Sequence, residues 1–244
     1  MRKFSLTLLS ITLGLSLMPK AMAAPTPQQQ LLEQVRLGEA TKRDDLVRQS
    51  LYRLELMDPN NPDVIAARLR YNLRQGDTAQ AQKQLDRLKE LAPDSAAYRT
   101  SRTALLLAAP DGRQALQQAR LLATSGRNQE AIAAYDKLFG GTPPDGDLGV
   151  EYWTLVAREP SRRAEAITHL RALNASEPGN TTLQANLAQL LFSADRRDEG
   201  YAVLEQMARS SAGREGAANL WYQQLQGAPA SAQSIADLQR FLQV

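Results

Sequence analysis

Four prolines divide this chain at nearly even distances. Pro59, Pro93, Pro143 and Pro178 each follow a helix-forming stretch and precede a cluster of Asn, Asp, Gly or Ser, and they are spaced by 34, 50 and 35 residues. Proline lacks the N–H that a continuing helix needs, and its ring clashes with the turn before it, so each marks a stop. In "ELMDPNNPD" the stop leads directly into a start. Asn61 is a good N-cap, Pro62 suits the first helical position and Asp63 favours the positive end of the helix dipole. A stop and start recurring about every 34 residues is the signature of stacked helix pairs. The 50-residue interval holds one such unit and 16 residues besides.

Other positions keep the same register. Five residues before the prolines stand Leu54, Leu88, Leu138 and Leu173, and eight before stand Leu51, Leu85, Tyr135 and Leu170. Twelve before are Val47, Ala81, Ala131 and Ala166, and a further round without its proline gives Gly200, Leu204 and Met207. Large apolar residues three apart share one face of a second helix, and the small residue lets the paired helix come close. Gly76 and Gly126 fall where a left-handed C-cap is wanted between the helices, whereas Lys42, Ser161 and Asp195 stand at the equivalent turns elsewhere. "RQGDTAQAQKQLDRLKELAP" and "TSGRNQEAIAAYDKLFGGTP" each resemble the tetratricopeptide pattern over a whole repeat. The expected fold is all-α, a right-handed solenoid of tetratricopeptide repeats with an extra unpaired helix between the second and third repeats.

The expected layout begins with a secretory signal peptide over residues 1–23: Arg2 and Lys3, an apolar run from Phe4 to Met18, and Ala21-Met22-Ala23 as the cleavage site. A first arm over 24–95 carries two repeats, and the unpaired helix and hinge occupies 96–111. A second arm over 112–214 carries three repeats, and 215–244 is a truncated sixth. Trp221 of that last segment matches Trp153 in repeat position, and Ser234, Leu238 and Phe241 fall on the buried columns. The pattern stops before its own terminating residue, as a piece of a longer array would. In the extra segment Tyr98, Leu105 and Leu106 are expected to share one buried face, with few contacts crossing the joint, so that the arms bend there.

Charge excludes little but excludes it clearly. Three of the 29 lysines and arginines lie in the leader and none of the 26 acids does, so the remainder is balanced. Neither nucleic acid nor an anionic membrane is an expected partner, and the segment itself is expected to make no membrane contact. Without cysteine there is no disulfide framework and no thiol chemistry.

No catalytic constellation is present. His169, the one histidine, falls on the outward side of a second helix, where a solvated imidazole is expected. There is no zinc-protease motif, phosphate loop or nucleophile elbow. "DPNNPD" lacks the spacing of a calcium loop, and Asp44–Asp45 read as solvated turn residues. The expectation is no catalytic residue, no metal, no cofactor and no enzyme. The groove positions of first helices are the candidate binding residues: Arg36, Arg70 and Arg120 at one ladder position with Arg74 beside them, followed by Leu155, Gln189 and Gln223 at the same position. Read functionally, the arginines form a basic clamp for carboxylates or phosphates. Read structurally, arginine is simply a soluble helix former, and three rungs are few. Trp153 and Trp221 suggest sugar stacking, but their repeat position buries a bulky side chain between helices.

The leader with "APTPQQQLLEQVRLGEA", then "DLVRQSLYRLELMDPNNPDV", "DGRQALQQARLLATSG", "SADRRDEGYAVLEQMA" and "SAGREGA" closely resemble the N-terminal end of the cellulose synthase operon protein C family of enterobacteria. The resemblance implies a periplasmic repeat region leading to an outer-membrane β-barrel through which cellulose leaves the cell. It further implies a scaffold contacting other cellulose synthase subunits in the periplasm. Peptidoglycan and the glucan chain are further partners under this reading, and direct glycan binding along the groove is the alternative function.

Overall fold

A computed structural model describes residues 25–226 and 229–243. The expected signal peptide, 1–23, lies outside the described residues. Within the described residues the chain forms thirteen α-helices. They are α1 (Pro27–Ala40), α2 (Asp44–Met57), α3 (Pro62–Arg74), α4 (Thr78–Leu91), α5 (Ala96–Ala108), α6 (Pro110–Thr124) and α7 (Asn128–Phe139). Then follow α8 (Gly146–Val156), α9 (Arg163–Ser176), α10 (Thr181–Ser193), α11 (Arg197–Ala208), α12 (Arg214–Gln226) and α13 (Ala232–Phe241). Two compact units result, one ending at Met57 and one beginning at Asp58.

The stop-and-start chemistry works as its residue types require. Asn61 Oδ1 accepts from the backbone N–H of Asp63 at 2.9 Å and of Val64 at 3.4 Å, and Pro62 opens α3. The columns supply most of the core, but Leu138 and Leu173 are only partly buried, and their neighbours Phe139 and Asn174 are buried instead. Val47, Leu51 and Leu54 are fully buried in the first unit; in the second, Ala81, Leu88, Ala131, Ala166, Leu170 and Leu204 are equally inaccessible. Gly200 shows why the small column is small: a Cβ there would lie 2.7 Å from the Phe192 ring.

The turns obey a backbone rule that their residue types conceal. Gly76 and Gly126 have φ of 76°, and Lys42 and Asp195, at the same place in other pairs, have φ of 57°. The αL turn is thus retained without its glycine. Ser161 differs, lying in a 3-10 turn, Pro160–Arg162, that takes over the connection. A lysine in αL costs roughly 1–2 kcal/mol, partly offset by the chain entropy that glycine forfeits on folding. Lys42→Gly is therefore expected to stabilise the first unit by about 0.5–1 kcal/mol. Urea unfolding should show a higher midpoint at unchanged slope; an unchanged midpoint would mean that Lys42 carries no strain.

The extra helix is present as α5, and it has no antiparallel mate of its own, but it is not loosely held. Tyr98 and Leu105 pack into the cluster of Leu69, Ala81 and Leu85. Leu106 and Leu107 pack instead against the large core that runs from Leu116 to Leu191. The single buried face expected from sequence is therefore two faces, one toward α3 and α4 and one toward α6. Helical spacing explains it, since Leu105 and Leu106 are about 100° apart around the axis. Two arginines extend the attachment. Arg99 Nε pairs with Asp145 Oδ2 at 2.7 Å, and Arg102 Nη2 donates to the carbonyls of Phe139 at 2.8 Å and Thr142 at 3.2 Å.

In the last pair the column shifts by one residue. Asp237 is buried and Leu238 is 45 % exposed, contrary to the expected burial of Leu238. The reason is polar: Arg197 reaches the Asp237 carboxylate at 3.4 Å, Gln233 donates to it at 3.0 Å, and the Trp221 indole N–H donates to its carbonyl at 3.1 Å.

Candidate functional site

First helices α6, α8 and α10 line a trough in the second unit. Its larger part is a cleft of about 670 Å³ between Arg120 on α6, Glu151 and Thr154 on α8, and Asn186 on α10. A smaller hollow of about 300 Å³ continues it toward Gln189 and Ser193. Thr154, Arg158 and Asn186 line both parts, so they mark the place where the two join.

Arg120 does not offer a vacant fork there. Its Nε and Nη2 donate to the two carboxylate oxygens of Glu151, each at 2.7 Å, and the Tyr135 hydroxyl donates to the same carboxylate. Burial pushes Glu151 up, but the hydrogen bonds from Arg120 and Tyr135 outweigh it and hold the carboxyl below its usual range. A second bond crosses the other way, from the Tyr152 hydroxyl on α8 to Asp136 Oδ1 on α7 at 2.7 Å. Burial, then the bond to Asp136, pushes the Tyr152 phenol up to about 12.

The other polar ladder residues lie on α1, α3, α10 and α12. Arg36 belongs to the first unit and pairs with Glu33 at 3.2 Å. Arg70 is half-buried on α3, and Arg74, exposed at its last turn, has its guanidinium carbon 5.7 Å from the Tyr71 ring centre. Within the second unit, α5 is inserted between the helix pair that bears Arg70 and the one that bears Arg120. Gln189 lies in the trough and Gln223 is exposed on α12. Trp153 and Trp221 are buried, as their repeat position requires, and His169 is an exposed ring stacked on Trp153 with centroids 3.9 Å apart. Among the described residues no cluster of three or more His, Asp or Glu is placed to hold a metal ion, and no helix is long and apolar enough to cross a membrane.

No protein-family model matches the chain. Cellulose synthase operon protein C of Escherichia coli K12 is 65% identical over 244 residues, which is 100% of this chain and 21% of that protein. Its counterpart in Salmonella typhimurium LT2 is 63% identical over 241 residues, 99% of this chain and 20% of that protein. A crystal structure of the flexible tandem repeat domain of a bacterial cellulose synthase subunit superposes with a TM-score of 0.72 at 71% identity, covering 90% of each chain. The chain belongs to the cellulose synthase operon protein C family. It spans about a fifth of the length of these curated relatives. Its fold is the all-α tetratricopeptide one, given the helix pairs, their period and the buried columns described above.

In this chain the arginine ladder passes over Thr154, Arg158 and Asn186. The signal for them was within reach: Asn186 is three residues before Gln189 and Arg158 three after Leu155, and residues three apart share a helix face. Thr154 and Arg158 have spare capacity. Thr154 Oγ1 is buried with no hydrogen-bond partner, and Arg158 makes one long bond, to the Ala123 carbonyl at 3.3 Å.

The crossed tyrosine–carboxylate pairs give the second unit an alkaline signature. The Tyr152 phenol titrates higher in the folded chain than in the unfolded one, so its contribution is fully present below about pH 10 and disappears as pH rises toward 12. Wild type is expected to lose melting temperature more steeply than Tyr152→Phe between pH 9.5 and 11.5. Parallel curves for the two would show that Tyr152 is not coupled to folding.

Proposed function

We propose that this segment is a non-catalytic scaffold of a cellulose-exporting assembly. It would work in the periplasm and hold another protein subunit by an extended peptide laid in the trough between α6, α8 and α10. The observation that carries this reading is that three polar residues, Thr154, Arg158 and Asn186, line both hollows where they join, with the buried Thr154 hydroxyl left without a partner. A peptide backbone offers alternating donors and acceptors that an amide and a hydroxyl satisfy, and a guanidinium suits a carboxylate. The relatives are named as products of cellulose synthase operons, which fits a partner among the other subunits. The periplasmic setting rests on the leader read in residues 1–23. Glycan binding, by contrast, favours exposed aromatic platforms, and both tryptophans are buried.

Photo-crosslinking from Asn186 and Gln189 in cellulose-producing cells tests this. Capture of a synthase-complex polypeptide, reduced at least about tenfold by Arg158→Glu, is the expected result; this corresponds to losing one charge-assisted contact. Capture of glucan instead would replace the scaffold by a guide for the polysaccharide. No capture of either, with cellulose output unchanged in Arg158→Glu, would remove the trough from the function.

A further inference from the structure

Asp145 stands at the start of α8 and serves a different helix. It is the N-cap residue by position, with extended backbone (φ −92°, ψ 175°), yet no side-chain hydrogen bond caps α8. Its carboxylate instead reaches α5 and pairs with Arg99 at 2.7 Å. The first amides of α8 are therefore left without the acceptor that an aspartate in this place normally supplies. The backbone beside Asp145 is unusual as well. Gly146 has φ of 65°, and a Cβ built on it would meet only Glu177 Oε1, at 3.8 Å, so space does not demand glycine there. Conformation does: glycine visits positive and negative φ about equally, and any other residue would strongly prefer the negative side, where α8 continues back to Asp145.

We propose that Asp145 is a two-position switch governing how firmly α5 is attached to the loop between α7 and α8. In one position it pairs with Arg99, Gly146 is left-handed, and α5 is strapped to the loop together with Arg102, which holds the Phe139 and Thr142 carbonyls. In the other, Gly146 turns to negative φ, the carboxylate accepts from the amides of Asp147 or Leu148, and α5 loses its ion pair. A partly exposed ion pair and an N-cap hydrogen bond are each modest contributions, so the balance, set toward the Arg99 pair in this structure, is small enough for salt to shift. A differential interaction of this kind is what a two-state element requires. The bending expected from sequence at this joint would then depend on which partner Asp145 takes.

The absence of cysteine makes the test clean, because two introduced thiols are the only ones to label. Spin labels at Lys89→Cys on α4 and Lys137→Cys on α7, both in the second unit, report the separation across α5. At low salt wild type should show one dominant distance. Raising salt from about 20 mM to about 0.5 M should increase a second population roughly two- to fivefold, as the Arg99 pair is screened. Gly146→Ala and Asp145→Asn should make that second population the major one at low salt, since alanine disfavours positive φ and asparagine caps without pairing. In wild type, the amides of Asp147 and Leu148 should gain hydrogen-exchange protection as the second population grows. Identical distance distributions in wild type, Gly146→Ala and Asp145→Asn would overturn the switch. So would opening at high salt with no gain of protection at Asp147 and Leu148, because the carboxylate would have left Arg99 without taking the helix end.

Discussion

Gly112→Ala is expected to destabilise the second unit by about 3 kcal/mol, the upper end of what overpacking costs. The chain passes from α5 to α6 through one extended residue, Ala109, which Pro110 keeps out of the helical region. The first turn of α6 is thereby pressed onto the last turn of α5. A Cβ on Gly112 would lie 2.1 Å from the carbonyl oxygen of Leu106, a backbone atom that no rotamer change can move aside. Arg113 tightens the corner by donating to the Leu107 and Ala108 carbonyls. Relief therefore requires the two helices to separate, which also loosens Leu106 and Leu107 from the core beneath them. Gly179→Ala is the control, since nothing lies within 4 Å of its Cβ position. Urea unfolding should separate the two variants by several-fold in stability loss. A Gly112→Ala midpoint within error of Gly179→Ala would show that the corner gives way freely.

Trp221→Ala should have an effect of similar size but confined to one end. The indole is 1 % exposed, lies 4.8 Å from the Tyr201 ring and 5.6 Å from Phe241, and donates to the Asp237 carbonyl. Removing a buried tryptophan costs roughly 3–5 kcal/mol. Because Trp221 joins α13 to Tyr201 and its neighbours on α11, that loss falls on the helices α11 to α13. Amide exchange across Ala232–Phe241 should accelerate by about a hundredfold or more, since each 1.4 kcal/mol is a factor of ten. Exchange in α6–α8 should stay unchanged. Trp221→Phe should retain most of the packing and lose the bond to Asp237, giving an intermediate rate. Uniform acceleration along the second unit, or none, would contradict the assignment.

The buried columns were legible because burial in a helix pair depends on spacing along the chain, which the sequence displays directly. Val47, Ala81, Ala131 and Ala166 are small for the same local reason, and each is fully buried. The trough was legible only in part. Arg120 and Gln189 are where their positions imply, but whether a guanidinium is free depends on what faces it. Here that is Glu151, thirty-one residues onward and on another pair. The inward turn of Asp237 has the same origin: a partner distant in sequence, Arg197, decides the outcome. The left-handed turns at Lys42 and Asp195 were hidden differently, because nothing about a lysine announces positive φ. Only the register with Gly76 and Gly126 does.

The crossed bonds between α7 and α8 bear on how the second unit comes apart. In an ideal array each repeat couples equally to its neighbours, and melting can begin anywhere. Here Tyr135 reaches forward to Glu151 while Tyr152 reaches back to Asp136, and one continuous core runs beneath them from Leu116 to Leu191. The α3–α4 pair rests on separate, smaller clusters. Nearest-neighbour coupling is therefore uneven, strong in the middle and weaker toward the ends. The helices from α6 to α10 should exchange their amides as one cooperative block, with α3–α4 and α12–α13 fraying ahead of it. Force transmitted along such a segment would be taken up first by its ends, leaving the trough in the middle intact while the flanks yield.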